Sequence, residues 1–284
     1  MYETELTSND MFNSNTDIQV RGTKTIKLPK VSVTGYKDHS RNTTGFNAGT
    51  YSNSFEEKSL DHDRDIEFSI DPMDVDETNQ ILSIANIQTR FERTQAIPEL
   101  DCYTFSKIFA EATRVGALIK TAPLTKANIL EDFDANMEAL EDAGVPLSRC
   151  ILYCTATYKK ILKNAEGVQR VLDVSKGNGL DRRVHTMEDV SKIVVVPKER
   201  FKTVYDFTTG YTVDAKGKQI DYILIDPEAQ VSRVKYSYIQ VFTPGSDSRT
   251  ADNYLYQNRR FNGTFGLDGM LAKSCIIHSE PAGV

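Results

Sequence analysis

The feature that most constrains this chain is a strongly acidic stretch spanning residues 51–77. It holds ten acidic residues against two basic ones, Lys58 and Arg64, and so carries a formal charge of −8. The whole chain carries −6, so the remaining residues carry +2. This charge balance gives the chain no bulk electrostatic reason to bind nucleic acid, and it concentrates negative charge in one segment.

The acidic stretch is predicted to belong to a long two-stranded hairpin over residues 48–71. In its second strand Ile66, Phe68 and Ile70 alternate with polar residues, which is the period of a strand. A hairpin with so little apolar surface is marginal by itself, so we expect it to lie on another surface. Residues 1–50, rich in Asn, Thr, Ser and Gly, are predicted to form an extended arm that finds its partners elsewhere.

A series of helix signals follows the hairpin. Asp74 and Glu77 have the spacing of a capping box, which predicts that a helix begins at Asp74. The apolar stripe of this helix runs to Thr94. We expect the helix to stop before Pro98, because the residue preceding a proline avoids helical geometry. Further helices are predicted over residues 101–116, 125–144 and 155–165.

Short apolar strands alternate with helices between Pro123 and Glu228, which favours a compact mixed α/β domain. The strands predicted in this part cover residues 150–154, 193–196 and 220–225. The C-terminal part carries no helix signal and is predicted to be a β-rich piece that packs on the helix of residues 74–94. Its strands are predicted over residues 234–242, 254–261 and 270–277.

Cysteine usage and the chain ends favour a cytosolic protein. No apolar run approaches the ~20 residues of a membrane helix, and the polar, acidic start does not resemble a secretory signal. Cys150 and Cys154 lie on one face of a predicted strand, where we expect them to be small buried hydrophobes. Cys275 and His278 are the nearest pair for zinc, but they lack the second tight pair that a zinc site needs.

Other motifs give little support for catalysis. Asp71, Asp74 and Asp76 resemble a carboxylate metal cluster, yet they lack the central glycine of a calcium loop and fit a helix N-terminus, where acids complement the helix dipole. His62 and Asp63 are adjacent, but no nucleophile motif accompanies them. We therefore predict no catalytic residue, no cofactor and no metal, with a metal-dependent hydrolase using the three aspartates as the enzymatic alternative.

Four segments, in their order along the chain, are similar to stretches of a known protein family. They are residues 61–77 (DHDRDIEFSIDPMDVDE), residues 90–93 followed by 97–101 (RFER and IPELD), residues 144–146 (GVP) before a strand and a short helix with Tyr158, and residues 254–276. Together they resemble the major capsid proteins of tailed bacteriophages that infect Gram-positive hosts, over nearly the whole chain.

The resemblance implies an α+β fold of the HK-97-like capsid type and a structural protein, not an enzyme. It also implies a division of the chain into an arm, an extended loop, a peripheral domain with a long spine helix, an inserted axial α/β domain, and peripheral return strands. The corresponding ranges are 1–47, 48–73, 74–122, 123–230 and 231–284.

The same resemblance implies that the chain assembles with itself into hexamers and pentamers of an icosahedral shell around double-stranded DNA, which it contacts non-specifically. A separate scaffolding protein is expected because the arm is short and polar, and a portal and a decoration protein are further expected partners. No membrane partner is expected. The shell would be assembled in the cytoplasm of the host bacterium and become the virion capsid. The alternative within this fold is an encapsulin-like compartment shell.

Inter-subunit contacts are expected in the extended loop, whose acidic side chains would lie on a basic surface of a neighbouring copy near Arg259 and Arg260. Deleting residues 50–65 is accordingly expected to leave a soluble subunit that does not assemble. The loop residues expected at this contact are Glu56, Glu57, Lys58, Asp61, Asp63, Arg64 and Asp65.

Overall fold

The computed structural model describes residues 5–15, 25–39, 46–77, 84–165, 190–246 and 252–281. Its α-helices are α1 (Asn9–Phe12), α2 (Pro72–Glu77), α3 (Ile84–Phe91), α4 (Ile97–Val115), α5 (Ile129–Asp142), α6 (Ala156–Lys163) and α7 (Asp268–Ser274). Its strands are β1 (Thr25–Val33), β2 (Tyr51–Ser59), β3 (His62–Ile70), β4 (Leu118–Lys120), β5 (Ile151–Thr155), β6 (Lys192–Val196), β7 (Tyr205–Asp206), β8 (Thr212–Val213), β9 (Ile220–Ile225), β10 (Gln230–Phe242), β11 (Tyr254–Gly266) and β12 (Cys275–Ser279).

A five-stranded sheet forms the centre of the fold, in the order β4-β12-β9-β5-β6. Strand β5 pairs in parallel with β6 and antiparallel with β9, and β12 lies between β9 and β4. Successive side chains of a strand point to opposite faces. Ile151 and Tyr153 therefore face one core, while Leu152 and Cys154 face the other.

Helices cover both faces of this sheet, which makes three layers. The first core packs α4 and α7 on one face, where Phe105 lies edge-on to the rings of Tyr153 and Phe201, 5.4 and 4.9 Å between centroids. The second core packs α5 and α6 on the other face, around Phe133 and Tyr158. Burial of these large side chains contributes most of the stability, since ~25 cal/mol is gained per Å² of apolar surface removed from water.

A second sheet has the order β10-β11-β3 and packs against α4 through β11. A separate antiparallel pair, β1 and β2, forms a two-stranded ribbon. The chain turns from the ribbon into β3 at Leu60, which is buried against Gly263 of β11. A Cβ atom at residue 263 would lie 2.2 Å from a Leu60 methyl carbon, so glycine is needed for this close approach.

The long helix differs from the sequence-based prediction. The chain stays helical from Ile84 to Val115, passing through a π-helical turn at Glu92–Ala96 and across Pro98. The predicted break before Pro98 is therefore wrong. Pro98 cannot donate an N–H to the preceding turn. The π-helical turn directly before α4 changes the bonding pattern there, and the Thr94 carbonyl, four residues before the proline, accepts the Tyr211 hydroxyl at 3.5 Å. The predicted end is confirmed, since Gly116 closes α4 with φ of +75°.

Other helix boundaries also shift. Helix α2 begins at Pro72, and the Asp71 carboxylate accepts the Met73 N–H at 2.8 Å, so Asp71 takes the capping role that was predicted for Asp74. Helix α5 begins after Asn128 and not at Thr125. The prediction of a helix-free C-terminal part is wrong, because α7 occupies most of the strand predicted over residues 270–277.

The strand pairing corrects the predicted hairpin. Strand β2 pairs with β1, which was assigned to the arm, while β3 pairs with β11 from the C-terminal part. The two strands predicted to form one hairpin thus belong to two different sheets. Strand period is encoded locally, but the backbone groups of a strand pair equally well with any partner, so the partner is fixed by burial elsewhere in the fold.

Candidate functional site

The ribbon of β1 and β2 is exposed along most of β2. Nine residue pairs connect its strands, from Thr25 with Ser59 to Val33 with Tyr51, and Thr34 and Thr50 extend the pairing by two hydrogen bonds of 3.0 Å. At ~3.4 Å per residue the paired part is ~30 Å long. A ribbon of this length reaches well beyond the body to which its base is attached.

The ribbon carries apolar side chains that its own chain leaves in solvent. Val33, Tyr51 and Phe55 are 74%, 82% and 62% exposed, and Tyr36 and Phe46 beyond the paired strands are fully exposed. A two-stranded hairpin is at best marginally stable in water without a surface to pack on. Apolar residues clustered on a projecting element are typical of a protein-protein contact.

Charged residues fix the base of the ribbon to the body. Lys58 Nζ lies 2.7 Å from Asp268, 2.8 Å from Glu56 and 3.4 Å from Glu111, and its side chain is only 10% exposed. Burial by itself lowers the pKa of this ammonium, but the bonds to Asp268 and Glu56 outweigh burial and raise it. Arg114 pairs with Glu111 and Asp268 as well, so β2 is held against α4 and α7.

The remaining residues predicted for the extended loop lie on the body. Asp61 accepts the Tyr103 hydroxyl and pairs with Lys107 at 2.5 Å, and both partners belong to α4. Arg64 of β3 pairs with Glu99 at 2.6 Å. Of the predicted contact residues, Glu56, Glu57 and Lys58 are in the ribbon, whereas Asp61 lies in the turn and Asp63, Arg64 and Asp65 are in β3.

The two arginines predicted as a basic partner surface already have carboxylate partners within the chain. Arg259 contacts Asp63 of the neighbouring strand at 2.7 Å, and Arg260 contacts Glu92 at 2.7 Å. The predicted pairing between the acidic stretch and Arg259 thus occurs inside one subunit. A role of these arginines between subunits stays a prediction.

A buried polar cluster, which the sequence did not indicate, attaches the N-terminal segment. The Asp101 carboxylate is fully buried and accepts the N–H and hydroxyl groups of Thr7 and Ser8 at 2.8–3.2 Å, and it pairs with Arg200 at 3.0 Å. Met11 is buried in the first core. Residues 5–15 of the predicted arm therefore pack on their own chain, which corrects the prediction of an arm that is extended throughout.

The part of β10 from Val234 onward is a second exposed apolar surface. Val234, Tyr236 and Ile239 are among its exposed side chains, and β10 is an edge strand of its sheet in the described part of the chain. The register shifts between Val234 and Tyr236, which bends the strand there. Edge strands of this kind offer unpaired backbone groups to a partner.

The predicted metal alternatives gain no support from the geometry. Asp71 caps α2, while Asp74 and Asp76 are exposed on that short helix. Within the described ranges, no three His, Cys, Asp or Glu side chains are grouped closely enough to hold a metal ion. Burial raises the pKa of Cys150 to about 11 and of Cys154 to about 12, as expected for small buried hydrophobes.

Both ring nitrogens of His278 have hydrogen-bond partners within the chain. Its Nδ1 lies 2.9 Å from the Asp221 carboxylate and its Nε2 lies 2.6 Å from the Ala122 carbonyl oxygen. Burial lowers the pKa of this imidazole, but the two hydrogen bonds outweigh burial and raise the pKa above 6.5. Both ring nitrogens face oxygen acceptors, so the ring can donate both hydrogen bonds only in its protonated form, and these contacts connect β12 to β9 and to the segment after β4.

This environment predicts a pH-dependent contribution to stability. Because the folded state binds the proton more tightly than the unfolded chain, the contribution is complete below pH ~6.5 and is lost as the pH rises through the raised pKa. We expect the stability advantage of the wild type over His278→Gln to be largest at mildly acidic pH and to shrink toward alkaline pH. Urea unfolding across this range measures it, and a pH-independent difference would contradict the assignment.

No helix in the described residues is both long enough and apolar enough to span a membrane.

Comparison with known proteins gives the fold. No protein-family profile and no curated protein matches the sequence. The mature capsid of bacteriophage PhiM1 aligns with a TM-score of 0.67 at 13% identity, over 92% of this chain and 83% of that chain. The capsid structure of cyanophage P-SCSP1u aligns with a TM-score of 0.65 at 11% identity, over 100% and 90%.

A structure from Mycobacterium phage Adephagia also aligns, with a TM-score of 0.61 at 13% identity, over 100% of this chain and 92% of that chain. All three alignments cover most of both chains, so they concern the whole architecture and not a shared fragment. At these identities they show a common fold. The predicted α+β fold of the HK-97-like capsid type is confirmed.

Proposed function

We propose that this chain, which has the fold of tailed-phage capsid structures, is a major capsid subunit that assembles with itself into pentamers and hexamers of an icosahedral shell. The observation that supports this beyond the fold is the ribbon. It projects ~30 Å with exposed aromatic and aliphatic side chains, and its base is fixed by buried charges. A second copy of the chain is the partner that would cover it.

Each part of a capsid subunit can be assigned to particular helices and strands of this chain. We assign the extended loop to residues 25–59, the paired ribbon with its tip, in place of residues 48–73. The spine of the peripheral part is the helical segment from Ile84 to Val115, which packs on β11. The part between β4 and β10 takes the axial position around the five-fold and six-fold axes.

Stable specific interfaces bury about 1,200–2,000 Å² in total. The ribbon and β10 both carry exposed apolar side chains, and an assembled shell would cover both. The further partners in this proposal are a separate scaffolding protein, a portal and a decoration protein, with DNA contacted non-specifically. Assembly would take place in the cytoplasm of the host bacterium.

Electron microscopy of the purified chain tests this function. We expect negative-stain images to show rings of five or six subunits, or closed shells, in a concentration-dependent manner. Sedimentation velocity on the same sample gives the distribution of sizes. A chain that remains monomeric at every concentration, with and without its scaffolding protein, would contradict the proposal.

A further inference from the structure

Two neighbouring helices carry charge of opposite sign. Helix α5 contains six acidic residues and no basic one, and five of the six are exposed: Glu131, Asp134, Glu138, Glu141 and Asp142. Helix α6 contains three lysines and no acidic residue, with Lys160 and Lys163 exposed and Lys159 half-buried. Each helix therefore presents a surface of one sign.

The central sheet places these helices toward opposite edges. The sixth acid of α5, Asp132, pairs with Lys120 of β4 at 2.8 Å and accepts the Tyr222 hydroxyl of β9 at 2.7 Å. Helix α6 lies beside α5 and packs over β9, β5 and β6, and β6 is the opposite edge strand of the described sheet. One flank of this layer is therefore acidic and the other is basic.

These charges have no partners among the residues that the structure describes. No ion pair or side-chain hydrogen bond there engages the five exposed acids of α5 or the lysines of α6. Both helices are held in place by their apolar faces, through residues such as Phe133, Met137, Tyr158 and Leu162. Within the described part of the chain, the packing of both helices uses their apolar faces and not their charged faces.

We propose that α5 of one copy contacts α6 of the next copy, so that the acidic and basic flanks form the head-to-tail interface of a ring. The proposal rests on the capsid function above and names the residues of one of its interfaces. A contact between two different surfaces of the same chain closes into a ring when the rotation allows it. Complementary charge sets the register of such a contact and disfavours the like-charged arrangement.

Charge reversal on one flank tests the interface. We expect Glu138→Lys with Glu141→Lys to raise the concentration needed for half-assembly at least about tenfold, because like charges then face each other. Lys160→Glu with Lys163→Glu should do the same. The chain carrying all four substitutions restores opposite charges and should assemble within about threefold of the wild type, since the flanks are only exchanged.

The four-substitution chain separates an interface from a folding defect. A folding defect in either double variant would persist in the combined chain, whereas restored assembly requires that the two flanks meet. Thermal unfolding of the subunits in high salt controls for stability. Assembly of both double variants at wild-type concentration would overturn this inference while leaving the capsid function intact, and a combined chain that fails to recover would overturn it too. A wild-type chain that never assembles would overturn the capsid function itself.

Discussion

Removing the distal part of the ribbon is expected to abolish shell assembly while leaving a folded subunit. The change replaces residues 31–53 with Asn-Gly, which joins Lys30 to its cross-strand partner Ser54 through a two-residue hairpin turn. It removes the exposed Val33, Tyr36, Phe46 and Tyr51 but retains the Lys58 anchor. Since the removed side chains that the structure describes, in residues 31–39 and 46–53, are exposed in the subunit, their loss should affect contacts between subunits.

The strand pairing determines where this truncation must stop. The deletion of residues 50–65 that the sequence suggested would remove Leu60 and the first residues of β3, which pair with β11. That variant would lose core packing as well as assembly and could not separate the two. Truncation within the ribbon leaves the sheet of β3, β10 and β11 intact.

Two measurements on the truncated chain are decisive. We expect its thermal midpoint to change by no more than ~2 °C, because surface changes usually stay within about 0.5 kcal/mol. Microscopy and sedimentation should show no rings or shells at concentrations where the wild type assembles. A control chain with Tyr51→Thr and Phe55→Thr keeps the ribbon and removes two aromatic contacts, and it should assemble more weakly than the wild type. Normal shells from the truncated chain would refute the role of the ribbon.

Replacing the buried carboxylate of Asp101 is expected to give the largest loss of stability. Asp101→Ala removes the acceptor for the Thr7 and Ser8 groups and leaves Arg200, whose side chain is 7% exposed, without its buried partner. Breaking one partner of a buried ion pair costs about 3–5 kcal/mol. For a chain of this size that corresponds to a melting temperature roughly 6–20 °C lower.

A matched exposed pair provides the control for Asp101. Asp10 pairs with Lys192 at 2.8 Å, but the lysine side chain is 55% exposed, so Asp10→Ala should cost only about 0–1 kcal/mol. Limited proteolysis provides a second measurement, because release of residues 5–15 should expose them to cleavage in Asp101→Ala alone. Equal melting temperatures for the two variants would show that Asp101 does not hold the N-terminal segment.

The helices and strands that could be predicted from the sequence were those with a strong local pattern of apolar residues or a terminating glycine. The strand over residues 220–225 was predicted with its observed bounds, and in the structure its side chains from Tyr222 to Ile225 alternate between the two cores. The ends of α4 and α5 were predicted from Gly116 and Gly144, both of which have φ of +75°. Local sequence fixed these features because they depend on backbone conformation and on period.

The candidate site was harder to predict. The acidic stretch was predicted to be a contact segment, and that role stays a prediction. The strand that completes the ribbon was assigned to the arm, and four of the seven predicted loop residues lie on the body. The residues next to Asp101 in the sequence carry no signal that its carboxylate accepts four hydrogen bonds from residues more than 90 positions away. The opposite charges of α5 and α6 can be counted in the sequence. That the two helices lie toward opposite edges of the central sheet is known only from the strand order.

The sequence by itself determined the period of strands such as β3 and β9, the C-terminal ends of α4 and α5, the charge distribution and the resemblance in segment order. The tertiary structure alone decided which strands pair, how the helix continues through Pro98 and where the N-terminal segment docks. The physical reason is that propensity and period act between residues a few positions apart. Strand partners and buried polar groups are selected by burial and hydrogen bonding between distant parts of the chain, such as β3 with β11 or Ser8 with Asp101.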